Sequence, residues 1–132
     1  YVVLKRKGIK IGVFGLAPQL DGLVDAKNYE TVRYINPITA TNEVVSTLKN
    51  KEKCDLIICI SHLGWTEKTM NDQILIPQTR YVDLVLGGHS HTFFETLRTH
   101  KDLDNNTVYN DQNGKSGIFI GKITLQMAKN KR

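Results

Sequence analysis

Apolar and polar positions alternate through Ile9, Lys10, Ile11, Gly12 and Val13, just after a Lys7-Gly8 pair. Another apolar run, "VVL", precedes that pair. Period-two alternation on either side of a glycine turn predicts two short strands. The next stretch, "APQLDGLVDAKNYETVRY", has no period, and Pro18 and Gly22 mark it as loop. At Asn36-Pro37 the rhythm changes. Asn is a good N-cap, and Pro suits the first helical position. Thr41, Val44, Val45 and Leu48 then fall at helical spacing, and Lys49, Lys51 and Lys53 suit a helix C-terminus. The pattern predicts a helix of roughly 12–14 residues.

Leu56 to Ile60 is an unbroken apolar run, rich in β-branched residues. Such a run predicts a strand covered on both faces, as in a parallel sheet. "TEKTMNDQILIP" reads as a helix, with Thr66 as its cap, Met70 and Ile74 one turn apart, and Pro77 ending it. "YVDLVLGG" predicts a second buried strand. The remainder predicts two or three more strands. Asp104-Asn105-Asn106 and Asn113-Gly114-Lys115 are its turns, and Ile118, Ile120 and Ile123 lead into the last strand. The order strand, helix, strand, helix, strand is that of an α/β fold with mostly parallel strands and crossover helices. The C-terminal strands form a further group. No repeat or linker interrupts residues 1–132, which are expected to form a single domain.

Composition narrows the class. Of the 132 residues, 40% are hydrophobic and 23% charged, which fits a folded globular chain and excludes extended disorder. No apolar run approaches the roughly 18 residues of a membrane span, and the first residues show no signal-peptide pattern. Tyr1 in place of a starting Met suggests a processed or excised chain. The net charge of +5 comes from lysines concentrated in "LKRKGIK", "KNKEK" and "AKNKR". They are not interleaved with aromatics as single-strand nucleic-acid binders require, so a solubilising surface is expected and no nucleic-acid partner. There are two cysteines, Cys54 and Cys59. In a strand over 54–60 they would point to opposite faces and could not bridge, so no disulfide framework is implied.

The chemistry is concentrated in the histidines. Ser61-His62 follows one predicted strand, and "GGHSH", residues 87–91, follows the next. Two strands joined by one helix run parallel, so their carboxyl ends share an edge of the sheet. Ligands bind α/β sheets outside that edge. Three of the four histidines, His62, His89 and His91, are thus delivered to one place. His89 and His91, two apart in an extended segment, would point the same way, with Gly87 and Gly88 permitting torsions that other residues resist. Converging neutral imidazoles suggest a transition-metal site for Zn, Mn, Fe, Co or Ni. His100, in "RTHKD", reads as solvated surface.

"DLIICISHLG" and "VDLVLGGHSH" resemble the last two motifs of the metallophosphatases, the calcineurin-like phosphoesterases. The closest branch is that of the 5′-nucleotidases and UDP-sugar hydrolases. The likeness extends over roughly residues 8–94, beginning with "GIKIGVFGL". It implies half of a metallophosphatase-type α/β sandwich and a phosphoric-ester hydrolase parent. It also implies two divalent metal ions (Zn, Mn, Mg or Co) in the complete domain. His62 and His89 would ligate one metal and His91 the other. Nucleotides or other phosphate esters would be substrates, and a periplasmic or secreted location would be usual. The three earlier motifs of that family (Asp-x-His, Gly-Asp and Gly-Asn-His followed by an acid) do not occur here. The chain therefore resembles the C-terminal portion of the domain, with no catalytic residue of its own identified, and is expected to be inactive alone. The alternative is a non-catalytic, metal-binding or complementing half-domain, self-associating through exposed sheet surface. A metal-free nucleotide-binding module is disfavoured, since neither a Gly-x-Gly-x-x-Gly nor a P-loop pattern occurs.

A few residues stay open on sequence grounds. Trp65 either lines the site or packs under the "SHLG" loop. Phe93 and Phe94 either stack on a substrate or pack internally. Asp72 either orients a loop or ligand by hydrogen bonding, caps a helix, or is exposed. Asp55 and Asp83 read as turn formers before strands.

Overall fold

The structure is a computed structural model and describes residues 1–127. Six strands form one sheet: β1 (Val2–Arg6), β2 (Ile9–Leu16), β3 (Leu56–Ser61), β4 (Leu84–Leu86), β5 (Arg98–Lys101) and β6 (Thr107–Asp111). Their order across the sheet is β1-β2-β3-β4-β6-β5. The inner neighbours β2, β3, β4 and β6 pair in parallel, and β1 and β5 close the two edges antiparallel. The predicted α/β architecture, mostly parallel with a C-terminal antiparallel pair, is the one observed.

The hairpin forms where the alternation places it, with Lys7 (φ 49°) and Gly8 (φ 82°) turning through left-handed backbone. Helix α1 (Pro37–Ser46) starts at the expected cap: Asn36 Oδ1 accepts from Ile38 N at 2.9 Å. A π-helical turn over Thr47–Lys51 extends it. Val45 and Leu48 lie against one face of the sheet, packed with Phe14, Ile57, Cys59, Val85 and Val108. A Cβ on Gly12 would stand 2.9 Å from both Leu48 methyls, so glycine is what lets the helix approach β2 this closely. Burying these apolar side chains stabilises the fold by roughly 1.5–3 kcal/mol each.

The second helix is shorter than its pattern predicts. Helix α2 spans only Asp72–Leu75 and begins at Asn71, not Thr66. Side chains explain the difference. Asn71 Oδ1 accepts from Ile74 N at 3.1 Å, Asn71 Nδ2 donates to Glu67 O at 2.8 Å, and Gln73 Nε2 donates to Trp65 O at 2.7 Å. These bonds satisfy loop backbone that would otherwise have wound into the helix. Pro77 does not end α2 but lies inside a 3₁₀ turn, Ile76–Gln78. Its missing N–H costs nothing in a first turn.

Other expectations are corrected. Cys54 precedes β3 and does not lie in it. Both cysteines are free and join the same buried cluster. Burial pushes the Cys59 thiol far up, which makes it an inert core residue. Asp55 and Asp83 act across strands: Asp55 Oδ2 accepts from Lys10 N at 2.8 Å, and Asp83 Oδ2 from Ile57 N at 2.9 Å. The last predicted strand is absent among the described residues. Ser116 (φ 61°) and Gly117 (φ 67°) turn the chain through left-handed backbone, and Ile120 beyond them is 95% exposed.

The sheet's two faces differ. The face opposite α1 carries Val2, Leu4, Val13, Ile58, Ile60, Leu86 and Tyr109, partly or largely open to solvent. Ile60, mid-sheet, is 54% exposed. No helix among the described residues is long and apolar enough to cross a membrane.

Candidate metal centre

The parallel strands end in one row. Leu16 pairs with Ser61, Ile60 with Leu86, and Leu86 with Asp111. His62 is the first residue past β3, and its N–H donates to Leu16 O at 2.9 Å. Gly87 is the first past β4, and its N–H donates to Asp111 O at 2.8 Å. The two histidine loops therefore leave from neighbouring strand ends. The His62 and His89 rings meet edge to face, with centroids 5.1 Å apart and planes inclined at 63°. His62 is exposed and His89 half-buried. His91 is exposed and makes no ring contact with either among the described residues.

The structure thus brings together two of the three predicted imidazoles. Among the described residues, no group of three or more His, Cys, Asp or Glu side chains is close enough to hold a metal ion. The pair by itself suits a transition metal as a partial donor set: two imidazoles in contact, held on adjacent strand ends. A cavity of about 430 Å³ opens beside His89, lined among others by Pro18, Asp21, Tyr34, Leu63 and Met70.

The glycines work differently from the expectation. Neither Gly87 nor Gly88 has a positive φ; His89 (φ 76°) and His91 (φ 56°) do. The histidine segment is therefore not extended. What the glycines supply is space. A Cβ on Gly88 would sit 3.0 Å from His62 Nδ1. One on Gly87 would sit 2.8 Å from Asp72 Oδ2 and 2.9 Å from Gln112 Nε2. Left-handed backbone at two non-glycine residues is a local cost that the surroundings must sustain.

Those surroundings are polar and buried. Asp72 is fully buried, and its Oδ1 accepts from Ser61 Oγ at 2.5 Å. Ser61 Oγ in turn accepts from Leu63 N at 3.2 Å, so both neighbours of His62 are tied down. Of the three alternatives for Asp72, hydrogen bonding that orients a loop is the one observed. Burial raises its carboxyl to about 6, against the lowering effect of hydrogen bonds from Ser61 and Asn110. Gln112, which belongs to no motif, lies just past β6 with 2% exposure. Its side chain bonds Gly88 O, Ser90 Oγ and Thr92 N of the histidine loop. A polar residue closing a strand at the ligand-binding edge was the one available hint.

Trp65 is half-buried, with its ring 5.1 Å from those of Phe94 and His100, so it packs beneath the loop. Phe94 is buried; Phe93 is exposed and stacks on Phe119 at 4.0 Å. His100 is not solvated surface. It is half-buried in β5, its Nε2 is buried without a hydrogen-bond partner, and burial lowers its pKa. Strand alternation turns Thr99 and Lys101 outward and His100 inward, which the charge of its neighbours concealed.

No protein-family profile matches the chain. Individual proteins do. It is 33% identical over 96 residues to an apyrase of Tabanus yao, covering 72% of this chain and 16% of that protein. It is 31% identical over 99 residues to a 5′-nucleotidase of Vibrio cholerae, covering 68% of this chain and 18% of that one. Against the trifunctional nucleotide phosphoesterase protein YfkN of Bacillus subtilis the identity is 24% over 125 residues, 95% of this chain and 8% of YfkN. The chain thus spans less than a fifth of the length of each of these relatives. With its parallel sheet and the paired "SHLG" and "GGHSH" loops at one edge, it belongs to the 5′-nucleotidase branch of the metallophosphatase superfamily.

Proposed function

We propose that this chain contributes His62, His89 and His91 to the two-cation centre of a phosphoric-ester hydrolase of the 5′-nucleotidase type. The observation that carries the reading is the contact of the His62 and His89 rings across adjacent parallel strand ends. His62 and His89 would share one divalent ion, and His91 would serve its neighbour. Divalent ions at such a site stabilise charge on a phosphoryl group and lower the pKa of bound water. The protein's part is to hold imidazoles neutral and in place. The cavity beside His89 would take the organic portion of the ester, and its size suits a nucleotide-sized ligand. With two imidazoles in contact and, among the described residues, no third His, Cys, Asp or Glu close enough to complete a metal-holding group, the chain holds only part of a ligand set, and the reading makes it inactive alone. Elemental analysis of the purified chain, with assays on AMP and an aryl phosphate in added Mn²⁺ or Zn²⁺, tests this. Bound metal without turnover is expected. Robust turnover would overturn the claim of incompleteness.

A second reading is a complementing half-domain. It is favoured by the open apolar face through Val13, Ile58, Ile60 and Leu86. A face of this kind in water is an association surface. Mixing the chain with a separately made chain carrying Asp-x-His, Gly-Asp and Gly-Asn-His motifs is expected to yield a complex and activity. Two inert, separately eluting chains would sink this reading.

A further inference from the structure

We infer that Ser90 and Gln112 are positioning residues that lock the His89–His91 loop onto the His62 loop and so set the geometry of the imidazole pair. The inference deepens the proposed metal centre and rests on that reading for its consequence in metal binding.

Proton counting carries it. Thr92 N–H can only donate, and Gly88 O can only accept, so the orientation of the Gln112 amide is determined. Its Oε1 accepts from Thr92 N at 2.7 Å and from Ser90 Oγ at 2.9 Å, and its Nε2 donates to Gly88 O at 3.1 Å. Ser90 has one hydroxyl proton, and Gln112 takes it. Its two lone pairs are then filled by Trp65 N at 3.0 Å and by the Thr92 hydroxyl at 2.8 Å. The Ser90 hydroxyl and the Gln112 Oε1 are thus fully matched, and Gln112 Nε2 is committed to Gly88 O, which makes a partly buried polar network rigid.

Its connectivity matters more than its strength. Gln112 grips Gly88, Ser90 and Thr92, and the residues between them are His89 and His91. Those are the two residues held in left-handed backbone. Such conformations persist where their surroundings over-determine them, and this network does so. Trp65 lies on the loop that carries His62. A single hydroxyl therefore joins the loop from β3, the loop from β4 and the residue after β6. Ser90, the residue between the two histidines of "GGHSH", is a latch.

The test compares Ser90→Ala, Ser90→Thr and Gln112→Leu with the parent chain, using Co²⁺ as the probe and far-UV circular dichroism to verify folding. Ser90→Ala and Gln112→Leu are expected to weaken Co²⁺ binding by about 10–100-fold and to alter its visible absorption bands. Ser90→Thr, which keeps the hydroxyl, is expected to restore both. In the metal-free chain, Ser90→Ala is expected to abolish the NOE between the His62 and His89 rings and to speed Trp65 amide exchange at least about tenfold. An intact NOE with unchanged Trp65 exchange would overturn the inference, whatever the metal does. Should His62→Ala bind Co²⁺ as the parent does, the metal reading fails separately, and the NOE still decides the latch.

Discussion

Ser61 Oγ donates to Asp72 Oδ1 at 2.5 Å, joining the last residue of β3 to the first residue of α2 inside the protein. The bond fixes the point from which His62 departs, and it places a carboxyl where water does not reach. The carboxyl is raised to about 6 by that burial.

This has a consequence for stability. A carboxyl with a raised folded-state pKa is better accommodated protonated in the fold than in the unfolded chain. Its contribution is full below about pH 4 and is lost as pH rises through about 6. Asp72→Asn keeps an acceptor for Ser61 and removes the charge. Urea midpoints between pH 4.5 and 7.5 are expected to fall with pH in the parent relative to the variant. The size expected is about 1–3 kcal/mol across the range. Parallel curves for the two proteins would refute the assignment.

Gly87 and Gly88 separate stability from site geometry. Gly87→Ala forces a methyl against buried Asp72 and Gln112. It is expected to destabilise by about 1–3 kcal/mol in urea unfolding. Gly88→Ala meets the ring of His62, which is exposed and free to swing away. Its expected cost is below about 1 kcal/mol, with metal affinity down at least about tenfold. Equal stability losses in both would show that the loops share one constraint.

The histidines give the direct test of the centre. His62→Ala and His89→Ala are each expected to reduce Mn²⁺ or Zn²⁺ affinity at least about tenfold, and His91→Ala to remove a second binding event. His100→Ala is expected to leave metal binding unchanged and to alter Trp65 fluorescence, since its ring lies against the indole. Isothermal titration with all four variants decides. A uniform response would remove the case for a shared site.

Packing predicts a contrast between the two sheet faces. Leu48, on the π-helical turn that extends α1, is fully buried against the sheet, so Leu48→Ala is expected to cost about 2–5 kcal/mol. Ile60 is exposed on the other face, and Ile60→Asp is expected to change stability by less than about 1 kcal/mol while abolishing any self-association seen by light scattering. A severe loss of stability from Ile60→Asp would mean that this face is already covered.

Much of the fold was legible in residue order. The Lys7-Gly8 hairpin, the Asn36-Pro37 cap and the apolar strands around Ile58 and Val85 depend on periodicity and capping, which act between residues a few positions apart. The shared edge for His62 and His89 followed as well, because parallel strands joined by a crossover end on the same side. Tertiary structure decided the rest. Whether Gly88 supplies torsion or space depends on where the His62 ring lies, 26 residues away in sequence. Whether His100 faces water depends on Trp65 packing over it. Gln112 has no motif at all, and its role exists only because β6 lies beside β4. Periodicity reports how a segment meets its own neighbours. The hydrogen bonds and close contacts that shape this site join segments dozens of residues apart, and only folding brings those together.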